Sequence, residues 1–141
     1  MKKIILTILL FITMTACSND SIFTKLSYDE LNKKIENEET FILLFNDESR
    51  NGELLKHTLE KVVTENDLTA YEINSSNLKE TQKNNLRPLI SYQDASIVFI
   101  INGKDPSKLT HITDELTDVD ELTSHLTNLG FIKTDEKTSN E

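Results

Sequence analysis

Residues 40–63, TFILLFNDESRNGELLKHTLEKVV, decide how this chain folds. Phe41, Ile42, Leu43, Leu44 and Phe45 form an unbroken apolar run, the length of a strand buried on both faces. The polar residues 46–52, NDESRNG, then read as a loop. After it Leu54, Leu55, Leu59, Val62 and Val63 recur at helical spacing with charged residues between them. Strand, short loop and amphipathic helix open a βαβ unit, and ligands of α/β domains bind at the carboxyl end of such a strand. Here that end is the 46–52 loop. It holds no cysteine, no histidine and no phosphate-binding glycine pattern.

The elements on either side extend the unit. Residues 26–37 read as a helix with a capping box: Ser27 at the cap, Glu30 at the third helical position, and Leu26 placed to staple against Leu31. Tyr28, Leu31 and Ile35 form its apolar stripe. After Asn66-Asp67, residues 68–74 read as a strand with Tyr71 and Ile73 on one face. Residues 75–86 predict a weaker helix ended near Pro88, with 89–94 irregular. Residues 96–101, SIVFII, are the second strong strand and run into Asn102-Gly103, a hairpin signal. Residues 108–113 are expected as the returning strand. Asp118, with Glu121 three residues on, caps a last helix carrying Leu122, Leu126 and Leu129, and Gly130 stands at its carboxyl cap with Phe131 and Ile132 folding back. The order α, β, α, β, α, β, β, α gives an α/β domain with a central mixed sheet and helices on both faces.

The amino terminus has a different character. Lys2 and Lys3 precede residues 4–14, which are apolar except for Thr7 and Thr13. That run is too short for a membrane span, which needs about 20 residues, and reads as an export signal. Thr15-Ala16-Cys17 resembles the lipobox of bacterial lipoproteins, with Met14 where leucine is usual. The resemblance implies cleavage before Cys17 and a diacylglyceryl anchor on its sulfur. The alternative is an ordinary signal peptide ending near a cysteine. The expected division is therefore a signal peptide at 1–16, a lipid-anchored tether at 17–25, a domain at 26–132 and a polar tail at 133–141. Within the tether, the apolar pair Ile22 and Phe23 is expected as an edge-strand remnant. Cys17 is the only cysteine, so no intramolecular disulfide can form.

Formal charge is −9 for the whole chain, and removing Lys2 and Lys3 takes it to −11. So acidic a domain is a poor partner for nucleic acid or anionic lipid. Membrane association is expected through the anchor alone, in an extracytoplasmic location.

The element order, the apolar strand leading through a loop into a long helix, and SIVFIINGK turning at Asn-Gly resemble the thioredoxin superfamily. More closely, the chain is similar to small exported thioredoxin-like proteins, among them the bacteriocin transport accessory proteins. The resemblance covers residues 26–132 and implies a Cys-x-x-Cys pair at the strand end. Counting from Leu59 puts the pair at Ser49 and Gly52, and counting from Phe45 puts it at Arg50 and Glu53; neither register holds sulfur. The family's cis-proline falls at Ala95. Thiol–disulfide exchange needs an attacking thiolate and a resolving thiol, so no redox catalysis and no catalytic residue is expected.

Other side chains have ordinary readings beside functional ones. Ser49 as a nucleophile would need a base and an orienting group; as a helix cap it needs neither. His57, His111 and His125 lie on separate elements without ligand spacing, and no metal or other cofactor is expected. Asp114, Glu115, Asp118, Asp120 and Glu121 are dense enough for calcium but lack the EF-hand ladder, and acids also suit a helix amino terminus. Arg50 and Asn51 are candidates for a partner-binding surface, as arginine pairs bidentately with carboxylates. The expected function is a non-catalytic accessory lipoprotein binding a peptide or an envelope protein. Two alternatives stand beside it: an immunity or exclusion lipoprotein, and a non-redox hydrolase using acidic residues.

Overall fold

The structure, a computed structural model, describes residues 22–105 and 117–133. In chain order it holds β1 (Phe23–Lys25), α1 (Tyr28–Glu36), β2 (Phe41–Asn46), α2 (Arg50–Glu65), β3 (Ala70–Asn74), α3 (Glu80–Leu86), β4 (Ser96–Ile100) and α4 (Val119–Asn128). A single 3-10 turn, Ser75–Asn77, stands between β3 and α3. The expected returning strand at 108–113, the lipidation position Cys17 and the acids Asp114 and Glu115 lie outside the described residues.

The sheet order is β1-β3-β2-β4. β1 and β2 both run parallel to β3, and β4 pairs antiparallel with β2. Helical crossovers force the parallel pairs, because two parallel strands cannot be joined by a tight turn. One sheet face carries Ile42, Leu44, Ala70, Ile97 and Phe99 and packs against Leu55, Leu59, Val62 and Val63 of α2 and Leu122 and Leu126 of α4. The other carries Phe41, Leu43, Phe45, Ile73, Val98 and Ile100 and packs against Leu31 of α1, Leu86 of α3 and Ile90. All six residues of β2 are buried, as its unbroken apolar run requires. Three layers, helices on both faces and this strand order make the architecture thioredoxin-like.

Local signals place most of these elements. Ser27 Oγ accepts from the Glu30 amide while the Glu30 carboxylate accepts from the Ser27 amide, closing the capping box of α1. Asn102 and Gly103 both have positive φ, 51° and 69°, the conformation of a type I′ turn, and Ile101 bridges Lys104 across it. A side chain at 103 would also lie 2.4 Å from the Ile35 carbonyl oxygen, so only glycine fits. Gly130 ends α4 at φ 81°, and the Phe131 amide returns to the Leu126 carbonyl.

Three boundaries differ from the sequence reading. Residues 23–25 are a sheet strand with Phe23 buried, so the fold begins before Leu26 and shortens the expected tether. The predicted helix at 75–86 is two pieces, because Asn74 Oδ1 caps the short turn and Leu78 is extended before α3 starts. α2 begins at Arg50, capped by Ser49, so Arg50, Asn51 and Gly52 form its first turn and the loop shrinks to 47–49.

Candidate binding cleft

The carboxyl ends of β1, β3 and β2 converge on a cleft of about 600 Å³. Its floor is built on the α2-facing side of the sheet, where residues alternate along each strand. Leu44 pairs with Glu72 and Asn46 with Asn74, while Lys25 pairs with Glu72 from the other side. Glu72 is therefore a carboxylate in the middle of a central strand, 5% exposed. Such a group is costly unless paired and hydrogen-bonded.

Both requirements are met. Lys56 of α2 reaches down to Glu72 with Nζ 3.0 Å from Oε1 and 3.2 Å from Oε2. Asn46 Nδ2 donates to Glu72 Oε1 at 2.9 Å and to Glu53 Oε1 at 3.0 Å. The other end of the same amide, Oδ1, accepts from the Glu48 backbone N–H at 2.9 Å. Asn46 is 2% exposed and fully committed, a hub joining β2, β3, α2 and the loop.

The loop is tied down from several directions. Glu48 has φ 60°, a left-handed conformation that costs a residue with a Cβ roughly 1–2 kcal/mol. Its bond to Asn46 Oδ1 compensates, and Asn74 Nδ2 donates to its carboxylate at 2.6 Å. Ser76 Oγ donates to the Asp47 carbonyl and the Ser49 amide to Asp47 Oδ1. Ser49 Oγ accepts from the Gly52 amide at 3.1 Å. That is the cap reading of Ser49, and no side-chain base bonds its hydroxyl among the described residues.

Gly52, the second position of one sulfur register, has no room for a side chain. A Cβ there would lie 2.5 Å from Asn46 Oδ1 and 2.7 Å from Asp47 Oδ1, both atoms already engaged in loop hydrogen bonds. In the other register Arg50 is exposed at the helix start, whereas Glu53 lines the cleft. Arg50 and Asn51 are both exposed on the first turn of α2 rather than on a loop, and neither lines the cleft. Ala95 is half-buried against the α2-side core, next to Ser96, which pairs with Phe45. Of the candidate residues, then, only Glu53 belongs to the cleft.

Lys56 and Glu72 are the residues that sequence reasoning missed. The signal for Glu72 is its place in β3: a central parallel strand is buried on both faces, so a charge within it demands a partner. The partner is 16 residues away on another element, which no local pattern reveals.

Elsewhere, Tyr92 and Lys83 hold the Asp94 carboxyl below the usual carboxylate range, and burial together with Asp94 pushes the Tyr92 phenol up. Burial lowers the His125 imidazole, which packs 5.1 Å from the Phe99 ring and leaves Nε2 without a hydrogen bond. Asp118 caps α4, accepting from the Asp120 and Glu121 amides. Among the described residues no group of three histidine, cysteine, aspartate or glutamate side chains is placed to hold a metal ion.

Glu53 and Glu72 do converge, both bonded to Asn46 Nδ2, but the amide stands between them and Lys56 engages both Glu72 oxygens. With one cysteine, at position 17, the chain acting alone has no thiol pair for disulfide exchange. No family model matches the sequence and no curated protein matches it; the strand order is thioredoxin-like, and the chain has no Cys-x-x-Cys pair.

Proposed function

We propose that this protein is a non-catalytic binding domain, carried on a diacylglyceryl anchor at Cys17, that holds a peptide or an envelope protein as an accessory factor outside the cell membrane. One observation carries the reading: beside a loop with neither sulfur nor room for it at Gly52, the strand ends build a polar cleft whose charged floor is fully hydrogen-bonded. A preorganised polar site costs little to order when a ligand binds. The acidic balance of the chain and the short apolar leader before Cys17 support placement through a lipid anchor rather than through charge.

Photo-crosslinking in the native envelope tests this. With the crosslinker at Gln82, which lines the cleft, one discrete peptide or protein adduct is expected, and the crosslinker moved to exposed Glu65 on α2 should not yield it. The same adduct from both positions, or none from Gln82, would sink the proposal. Labelled palmitate should enter the wild type and not Cys17→Ser.

A further inference from the structure

The two walls of the cleft carry opposite charge. Lys56 and Glu72 neutralise each other in the floor. On the side of β2 and α2 stands Glu53, its Oε1 held by Asn46, and Glu48 reaches over the end of β3, where Asn74 holds its Oε1. Their Oε2 atoms make no bond among the described residues. Lys25 stands on the opposite wall, at the end of β1, and its ammonium forms no ion pair among the described residues. β1 and β2 are separated by β3, so the strand ends that carry Lys25 and the Asn46–Glu53 pair are two backbone spacings apart, roughly 9.5 Å.

An extended peptide rises about 3.3–3.6 Å per residue. A tripeptide with free ends therefore sets its ammonium and its carboxylate about that far apart. Asn77 and Gln82 also line the cleft and carry neutral amides of the kind that bond peptide groups.

We propose that the cleft binds a short peptide by both of its free ends, with the α-ammonium on Glu53 and Glu48 and the α-carboxylate on Lys25. This rests on the binding reading above and names its ligand. A segment within a longer chain offers neither terminal charge, so the site selects small free peptides over interior stretches of a polypeptide.

Trialanine, which has no charged side chain, is the probe. It is titrated calorimetrically into the full chain in detergent micelles, beside its N-acetylated and C-amidated forms. Saturable binding of trialanine is expected, with each cap weakening it about tenfold or more, the scale of a lost charge-assisted hydrogen bond. Lys25→Met should abolish the penalty for amidation and leave that for acetylation. Glu53→Gln should reduce the penalty for acetylation and leave that for amidation. Capped peptides binding as well as trialanine, penalties unchanged in the variants, or no binding of trialanine would overturn the inference. The Gln82 adduct is the separate control. If it forms and trialanine does not compete with it, the accessory reading survives and the two-ended peptide does not.

Discussion

Asn46 joins two regions with opposite outcomes. Its Oδ1 faces the loop where the resemblance to thioredoxins would place sulfur, and there it helps to fill the space beside Gly52. Its Nδ2 faces the strand ends, where it helps to assemble Glu72, Lys56 and Glu53 into the floor of a cleft. The first region looks functional by position, yet beside Gly52 it holds only the Ser49 cap and the turn bonds of Asn46 and Asp47. The second carries no recognisable motif and contains the most elaborate polar construction among the described residues. Position in a fold marks where chemistry is possible, and the buried polar groups mark where the chain has committed structure to it.

The largest effect is expected at Lys56. Lys56→Met leaves Glu72 buried with Asn46 as its remaining side-chain donor and is expected to cost about 2–3 kcal/mol, below the full cost of a buried unpaired charge because the Lys56 side chain is 29% exposed. The readout is the urea midpoint at unchanged slope. Adding Glu72→Met should recover part of that loss; a double variant as unstable as the sum of the singles would show that the two residues do not act as a pair.

Gly52→Ala probes the other region. Alanine gains helix propensity but displaces Asn46 Oδ1 and Asp47 Oδ1 from their bonds, so a net loss of about 1–2 kcal/mol is expected. A gain in stability would mean that the loop yields easily and that the space beside Gly52 is not closed. The smallest effect belongs to Ser49→Ala, about 1 kcal/mol for a lost cap, with trialanine affinity unchanged. A variant with intact stability and altered peptide affinity would return Ser49 to the site.

Much of the scaffold is legible in the sequence because its signals are local. Ser27 and Glu30 announce α1, the apolar run announces β2, and Asn102-Gly103 announces a turn whose positive φ values suit those residues. Sequence reading fails where local chemistry is ambiguous. Asn51 and Gly52 are ordinary turn residues, yet Ser49 caps a helix that includes both. The strand expected at 68–74 forms over Ala70–Asn74, but its pattern lies in the Tyr71 and Ile73 face, and Glu72 on the other gives no local sign of its partner. The cleft itself is not legible, since Lys25, Glu53, Lys56 and Glu72 meet only once β1, β3 and α2 are assembled.

β1 has a consequence for orientation. Phe23 lies six residues after Cys17, a leash of about 20 Å at full extension. The strand then runs parallel to β3, its one neighbour in the sheet, and enters at the end opposite the cleft. On the proposed anchor at Cys17, so short a leash would keep the end of the sheet where β1 starts toward the bilayer. On that proposed anchoring the mouth of the cleft would open on the far side, away from the bilayer.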